Sequence, residues 1–550
     1  MNQEIWRAVT PQYDAYEQTI ASLTSIHSKA FMKTQNRLSG AIEQFIGLTG
    51  VSRVMMINAP DNALYRNLIA EQIKESSHAP DSVIYSETLN SSDVFGQYKA
   101  ENGKLIQLLP GLLDRANNGY LILTATFILA NPRSWLKLKS AVLGQGVSPL
   151  NMDTKHELSE AIEKHYNLKI VIVGDREQLA DIDYLDADIH SGLCLFSELE
   201  LELPVSHDNI ELYLGYLNWI TESYSLPALT PASIERLLIA GARYTEDQGY
   251  IPICLMWHLA LLQESALVSD SETITFEDID KAIENKKHRE SYLPERALSD
   301  ILDGQVIIET NGNQIGQVNA LTVIDVAGHP LSYGEPARIS CVIHFGDGDV
   351  SDVERKVDLA GNLHAKGMMI MQAFVSSALQ LDEPLPYSAS LVFEQSYSEV
   401  DGDSASLAEL CCFVSALSEY PINQEISVTG AVDQFGRVQA VGGLNEKIEG
   451  FYHVCKHQGF TGNQGVILPR SNLKHLALDK SVIESIKTGE FHIWPVSNVD
   501  EAVPILMDKP FRGDDDNSVV SKIAERIENF ERLEHPPGIV ERFKNWLSSY

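Results

Sequence analysis

A chain of 550 residues and 61.0 kDa is too long for one hydrophobic core and divides into about three or four domains. Apolar residues make up 44% and charged residues 21%, an ordinary globular composition that excludes wholesale disorder. Lysine and arginine number 42 against 76 aspartates and glutamates; the resulting net charge of −34 argues against nucleic acid or anionic membrane as a partner, since both are bound by clustered positive charge.

Residues 1–30 read as helical and partly polar, and their opening carries no charged-then-apolar signal pattern. From Val51 the pattern alternates. An apolar run at Val54–Ile57 precedes a helical stretch at Leu64–Ser76, then come strands near Val83–Tyr85, Tyr120–Leu123 and Lys169–Val173. Such alternation predicts a mostly parallel sheet over residues 31–208. The most hydrophobic stretch, Leu121–Ala130, is far shorter than the ~18 residues needed to cross a bilayer and carries two threonines. A cytoplasmic protein with no membrane partner is expected. Residues 209–291 read as helices only, with caps at Thr230-Pro231 and Thr275-Phe-Glu-Asp. An α/β core followed by an all-helical lid is the outline of an AAA-type nucleotide-binding module.

A further α+β unit spans residues 292–510. It opens with turn-rich strands at Gln305–Ile308, Gln317–Val323 and Ala337–Ile343, then alternates strands with helices. Residues 511–550 begin with an acidic linker, Arg512–Asn517, and end in an amphipathic helical tail broken at Pro536-Pro537. Cys194, Cys254, Cys341, Cys411, Cys412 and Cys455 are scattered without a CxxC pair and read as small core residues, not zinc ligands or a disulfide scaffold. Asp347–Asp352 begins like a calcium loop but lacks its turn glycine, so a solvated acidic loop is expected and no metal is.

The nucleotide module lacks its chemistry. A P-loop wraps phosphates with glycine backbone, places a lysine on the β/γ-phosphates and holds magnesium with Ser/Thr. Here Asn58-Ala-Pro-Asp61-Asn62-Ala-Leu64-Tyr65 supplies none of these, and Asp61 would repel a phosphate. The strand Gly119–Leu123 has the apolar build of a Walker B strand but ends in Thr124-Ala125, where Asp-Glu would hold magnesium and activate water. Arg243 is either a remnant sensor arginine or a surface arginine. ATP is not expected to bind, and no cofactor is expected.

The last large unit carries the chemistry. After a strand candidate, Ser388–Phe393, comes Glu399-Val-Asp401-Gly402-Asp403-Ser404-Ala405-Ser406, then a helix whose apolar stripe is Leu407, Leu410, Cys411, Val414 and Leu417. A capping box from Ser406 to Glu409 would put Ser404 in the turn before the helix, near backbone N–H groups that could stabilise an oxyanion. Ser404 is then a nucleophile or one more capping serine. Further on, a strand at Ile426–Gly430 and a turn at Gln434–Gly436 lead to Val441–Gly450. In the helix starting there, Leu444, Ile448, Phe451, Tyr452 and Cys455 share a face and Lys447 falls at its edge. A lysine at an apolar border is either a snorkelling structural residue or a partly desolvated amine able to act as a base.

Asp401-Gly-Asp-Ser-Ala-Ser406, Val428-Thr429-Gly430 and Gly442-Gly-Leu-Asn-Glu-Lys447 together resemble the proteolytic domain of the Lon family, with the xGDSAS pattern of its LonB-like branch. Gln317-Val-Asn-Ala-Leu-Thr, Gly334-Glu-Pro-Ala-Arg and Gly361-Asn-Leu-His-Ala-Lys-Gly extend the resemblance over roughly residues 300–510. The resemblance implies Ser404 as nucleophile, Lys447 as general base, Thr429 beside the lysine as its orienter, and a hexameric ring. The eroded Walker motifs resemble the Lon-like (LonC-like) branch with a degenerate AAA+ module. Asp401 and Asp403 flank the serine; one pairs with Lys447 in a resting state, or both favour the helix N-terminus. His364 and Lys366 line the substrate cleft or are structural.

The expectation is a Lon-like serine endopeptidase that cleaves unfolded or damaged polypeptides without ATP, as a homo-hexamer with no nucleic-acid partner. An ATP-regulated Lon protease and a non-catalytic ring that binds unfolded chains are the alternatives.

Overall fold

The computed structural model describes residues 4–346, 350–353, 361–379, 386–395, 402–513 and 517–534. The chain forms two compact units: residues 18–229 with 253–263, and residues up to 17 with 230–252 and 264 onward.

The first unit is built on five strands: β1 (Val54–Asn58), β2 (Val83–Ser86), β3 (Tyr120–Thr124), β4 (Lys169–Gly174) and β5 (Cys194–Glu198). All pair in parallel, in the order β2-β3-β4-β1-β5. The expected strands are therefore present and parallel. Their sequences are continuous apolar runs because both faces of such a sheet are covered; β3 is buried throughout, as is β4 beyond its first residue. Helix α1 (Ala63–Ser76) follows β1 directly.

The second unit contains a seven-stranded mixed sheet. Its strands are β6 (Gln317–Ile324), β7 (Tyr333–Phe345), β8 (Val350–Asp352), β9 (Tyr387–Phe393), β10 (Ile426–Val428), β11 (Gly465–Pro469) and β12 (His492–Val496). They lie in the order β8-β9-β7-β6-β10-β11-β12, with β7 antiparallel to both β9 and β6, β8 parallel to β9, and β6, β10, β11 and β12 mutually parallel. Helices α2 (Pro231–Thr245), α3 (Asn362–Ala378), α4 (Ser406–Ser418) and α5 (Leu444–Gln458) belong to the same unit. Every residue of α4 is buried, so this helix is a core element and not an amphipathic surface one.

Several local expectations hold. Thr230 caps α2 through its side chain with Pro231 at the first turn, and Thr275 and Asp278 form a reciprocal capping box. Others differ. Residues 209–291 also contain strand segments of two or three residues (Ala228–Leu229, Tyr250–Pro252, Thr273–Ile274), and their helices are shared between the two units. Gln305–Ile308 is not a strand: the Val306 N–H goes to the Asp300 carbonyl (3.1 Å) and the Ile307 N–H to Gln395 Oε1 (2.8 Å), leaving neither donor for a ladder. Five of the six free cysteines are buried and Cys194 is half-buried. Among the described residues no helix is long and apolar enough to cross a membrane, and no group of His, Cys, Asp or Glu could hold a metal ion. Asp347 of the acidic loop and the proline break at 536–537 lie outside the described residues.

Candidate active site

Ser404 lies in the turn leading into α4. The expected capping box does not form. Ala405 holds the cap position without a side-chain bond, while Ser406 Oγ donates to the Asp403 carbonyl (2.8 Å) and accepts from Val432 N–H (3.0 Å). Glu409 points elsewhere, buried against His364 with 3.5 Å between carboxylate and Nδ1. Packing of α3 on α4 has overridden a local capping pattern. The Val-Thr-Gly segment after β10 grips the turn: the Ser404 carbonyl accepts from Gly430 N–H (2.8 Å) and Thr429 Oγ (3.3 Å), and Leu407 N–H returns to the Gly430 carbonyl (3.0 Å). On the other side Gly367 lets α3 seat against the turn, since a Cβ there would lie 3.3 Å from Asp403 Cβ and 3.4 Å from Ser406 Cβ.

Lys447 stands in the first turn of α5. The helical wheel put it at the rim of the apolar face, yet it is only 4% exposed. Strand β7 crosses so closely that a Cβ at Gly334 would overlap the Glu446 carbonyl, and one at Gly450 would overlap the Gly334 carbonyl. The two glycines bring backbone against backbone, so that β7 lies directly on the helix. The buried amine lies 3.0 Å from Ser404 Oγ. Burial lowers its pKa from 10.5 to about 8, against opposing pulls from Asp403 and Glu446. A hydroxyl in contact with an amine that can be neutral near physiological pH is a nucleophile–base arrangement.

Thr429 is fully buried and its hydrogen bond goes to the Ser404 carbonyl; it makes none to Lys447, so its hydroxyl braces the serine turn. Asp403 forms no ion pair with Lys447, and its carbonyl is held by Ser406. Asp401 lies outside the described residues. His364 is buried on Glu409, whereas Lys366 is exposed.

In the other unit, the turn after β1 is occupied by protein groups. Asn62 caps α1 by accepting from Tyr65 N–H (3.2 Å), and Tyr65 is buried with its ring 5.7 Å from that of Phe31. Arg66 is clamped by Asp61 and, through two bonds of 2.8 and 2.9 Å, by Glu87. Thr124 caps the helix Ala125–Ala130, and Gln178 bonds Asp61 at 2.8 Å.

One interaction had no counterpart in the sequence reading. Arg243, at the end of α2, is half-buried and binds Glu446 and Glu449 on the helix of Lys447. Two glutamates three apart on a helix that otherwise buries most of its faces were the available signal, because buried carboxylates demand a cation.

Both units resemble known proteins. Residues 79–197 match the family described as LonB-like, AAA domain, and residues 397–509 match the Lon protease (S16) C-terminal proteolytic domain. A protein of Escherichia coli (strain K12) named "Putative Lon protease homolog" is 38% identical over 98% of this chain and 98% of its own length. A Haemophilus influenzae protein of the same name is 38% identical over 80% of this chain and 72% of its own. An archaeal Lon protease of Methanocaldococcus jannaschii is 34% identical over 28% of this chain and 23% of its own. With an AAA-like parallel sheet in one unit and a Lon proteolytic domain in the other, the chain belongs to the Lon protease family.

Proposed function

We propose that this chain is a serine endopeptidase that hydrolyses peptide bonds of unfolded or damaged polypeptides through a Ser404–Lys447 dyad, without ATP. The observation that carries the reading is the buried Lys447 amine, 3.0 Å from Ser404 Oγ with its pKa lowered to about 8. Neutral Lys447 takes the hydroxyl proton as Oγ attacks the peptide carbonyl. The C–N bond then breaks, the proton passes to the leaving amine, and an ester links the acyl group to Ser404. Water, deprotonated in turn by Lys447, hydrolyses that ester and restores the hydroxyl. Thr429 and Gly430 hold the serine turn through its carbonyl throughout.

ATP independence is supported by the capped α1 terminus, the Asp61 carboxylate beside it, and Thr124-Ala125 at the end of β3. The substrate preference follows from energetics. As in the ring that the family resemblance implies, a homo-hexamer would admit only extended chains, and unfolding a stable domain costs about 5–15 kcal/mol that an ATP-free ring cannot supply.

The test is nucleotide-free digestion of unfolded casein beside a stable folded domain, using the full chain and its Ser404→Ala variant. Casein should be cleaved by the parent only, and the folded domain should survive. Cleavage by Ser404→Ala would refute the dyad, and dependence of casein digestion on ATP would refute the nucleotide-free reading.

A further inference from the structure

Helix α5 is anchored at its catalytic end by a cation from α2. Arg243 Nη1 donates to Glu449 Oε1 (2.6 Å) and to the Ala477 carbonyl (3.1 Å); Nη2 donates to Glu449 Oε2 (3.0 Å) and Glu446 Oε1 (2.9 Å). The planar guanidinium thus spans both carboxylates, a geometry a lysine cannot reproduce. The same turn is fixed from the segment after β11: Asn445 accepts from Ala477 N–H (2.7 Å), and Glu449 accepts from Asp479 N–H (2.8 Å). Glu449 is buried, so removing its cation would leave an uncompensated charge beside the site.

We propose that Arg243 is a positioning residue for the Ser404–Lys447 pair: it fixes the helix that presents Lys447 and neutralises the Glu446 carboxylate adjacent to it. The proposal rests on the dyad reading above. The charges acting on the Lys447 amine are Asp403 from the serine turn and Glu446 from its own helix, and both favour its protonated form. Strand β7, packed across the helix, brings Tyr333 and Glu335, both shifted upward chiefly by their own burial. On the side of Arg243 lie Lys287, Asp479 and His453; Lys287 pairs with Asp479, and burial lowers the His453 pKa. Losing Arg243 frees Glu446, one of the two charges that act on the amine, and so holds the proton on Lys447.

The experiment is the pH profile of kcat/KM on a fluorogenic peptide for the full chain and Arg243→Gln, Arg243→Lys, Glu446→Gln and the Arg243→Gln/Glu446→Gln double variant. Arg243→Gln should move the acid limb to higher pH by about half a unit or more, with kcat falling more than KM changes. Arg243→Lys should recover little of this. Glu446→Gln should move the limb to lower pH, and the double variant should return toward the parent. Parental limbs in Arg243→Gln and Glu446→Gln would overturn the positioning role. If Arg243→Gln fails to fold, Glu446→Gln, which keeps the bidentate Glu449 bond, decides alone. Ser404→Ala separates the two readings: residual hydrolysis there overturns the dyad itself, whereas an inactive Ser404→Ala with unshifted limbs overturns only the role of Arg243.

Discussion

Two buried cations invite comparison, one in each unit. Arg66, near the start of α1, is 6% exposed and meets two carboxylates, Asp61 and Glu87. Lys447, in the first turn of α5, is 4% exposed and meets a hydroxyl. Both are buried, but their partners differ. A buried cation between two anions is held charged and has no reason to exchange a proton; one whose contact is neutral is pushed toward its neutral form. Under the proposed function, the first arrangement is structural and the second supplies the group that transfers the proton.

The comparison can be broken first at Ser404. Ser404→Ala should lower casein hydrolysis at least about 10³-fold, because loss of a nucleophile removes the covalent route altogether; initial rates of fluorescent casein digestion measure this. The pH dependence comes next. Since Lys447 must be neutral to accept the proton, kcat/KM should fall about tenfold per pH unit below its pKa of about 8 and level off above it. A flat profile between pH 6 and 8 would remove Lys447 as base.

Stability offers a sharper contrast. The folded pKa of Lys447, about 8, is lower than its ordinary 10.5, so the protonated lysine opposes folding. That cost is complete below pH 8, shrinks as pH rises from 8 to 10.5, and vanishes above. Lys447→Met should therefore stabilise the protein at pH 7 by about 1–3 kcal/mol and have little effect at pH 10.5, as read by denaturant titration. The smallest expected effect is from nucleotide: magnesium-ATP should leave the thermal midpoint unchanged, whereas ATP at one hundred times its Kd would add about 2.7 kcal/mol.

What was legible in the sequence is what is local. The apolar runs of β1, β3 and β4, the face of α5 formed by Leu444, Ile448, Phe451, Tyr452 and Cys455, and the caps at Thr230 and Thr275 follow from periodicity and from hydrogen bonds spanning three or four residues. The order of motifs around Ser404, Thr429 and Lys447 likewise carries the family signature. The tertiary structure alone decided how those residues meet. The local pattern Ser406–Glu409 gave way to bonds with Val432 and His364, and Thr429 turned to the Ser404 carbonyl. Lys447 moved from the rim of a helical face to the interior because Gly334 and Gly450 allow β7 to lie on the helix. Arg243 found Glu449 from 206 residues away. A pair at that distance leaves no periodic trace in either segment, and the pKa of a buried amine depends on everything packed around it; both are properties of the assembled fold, not of its local sequence.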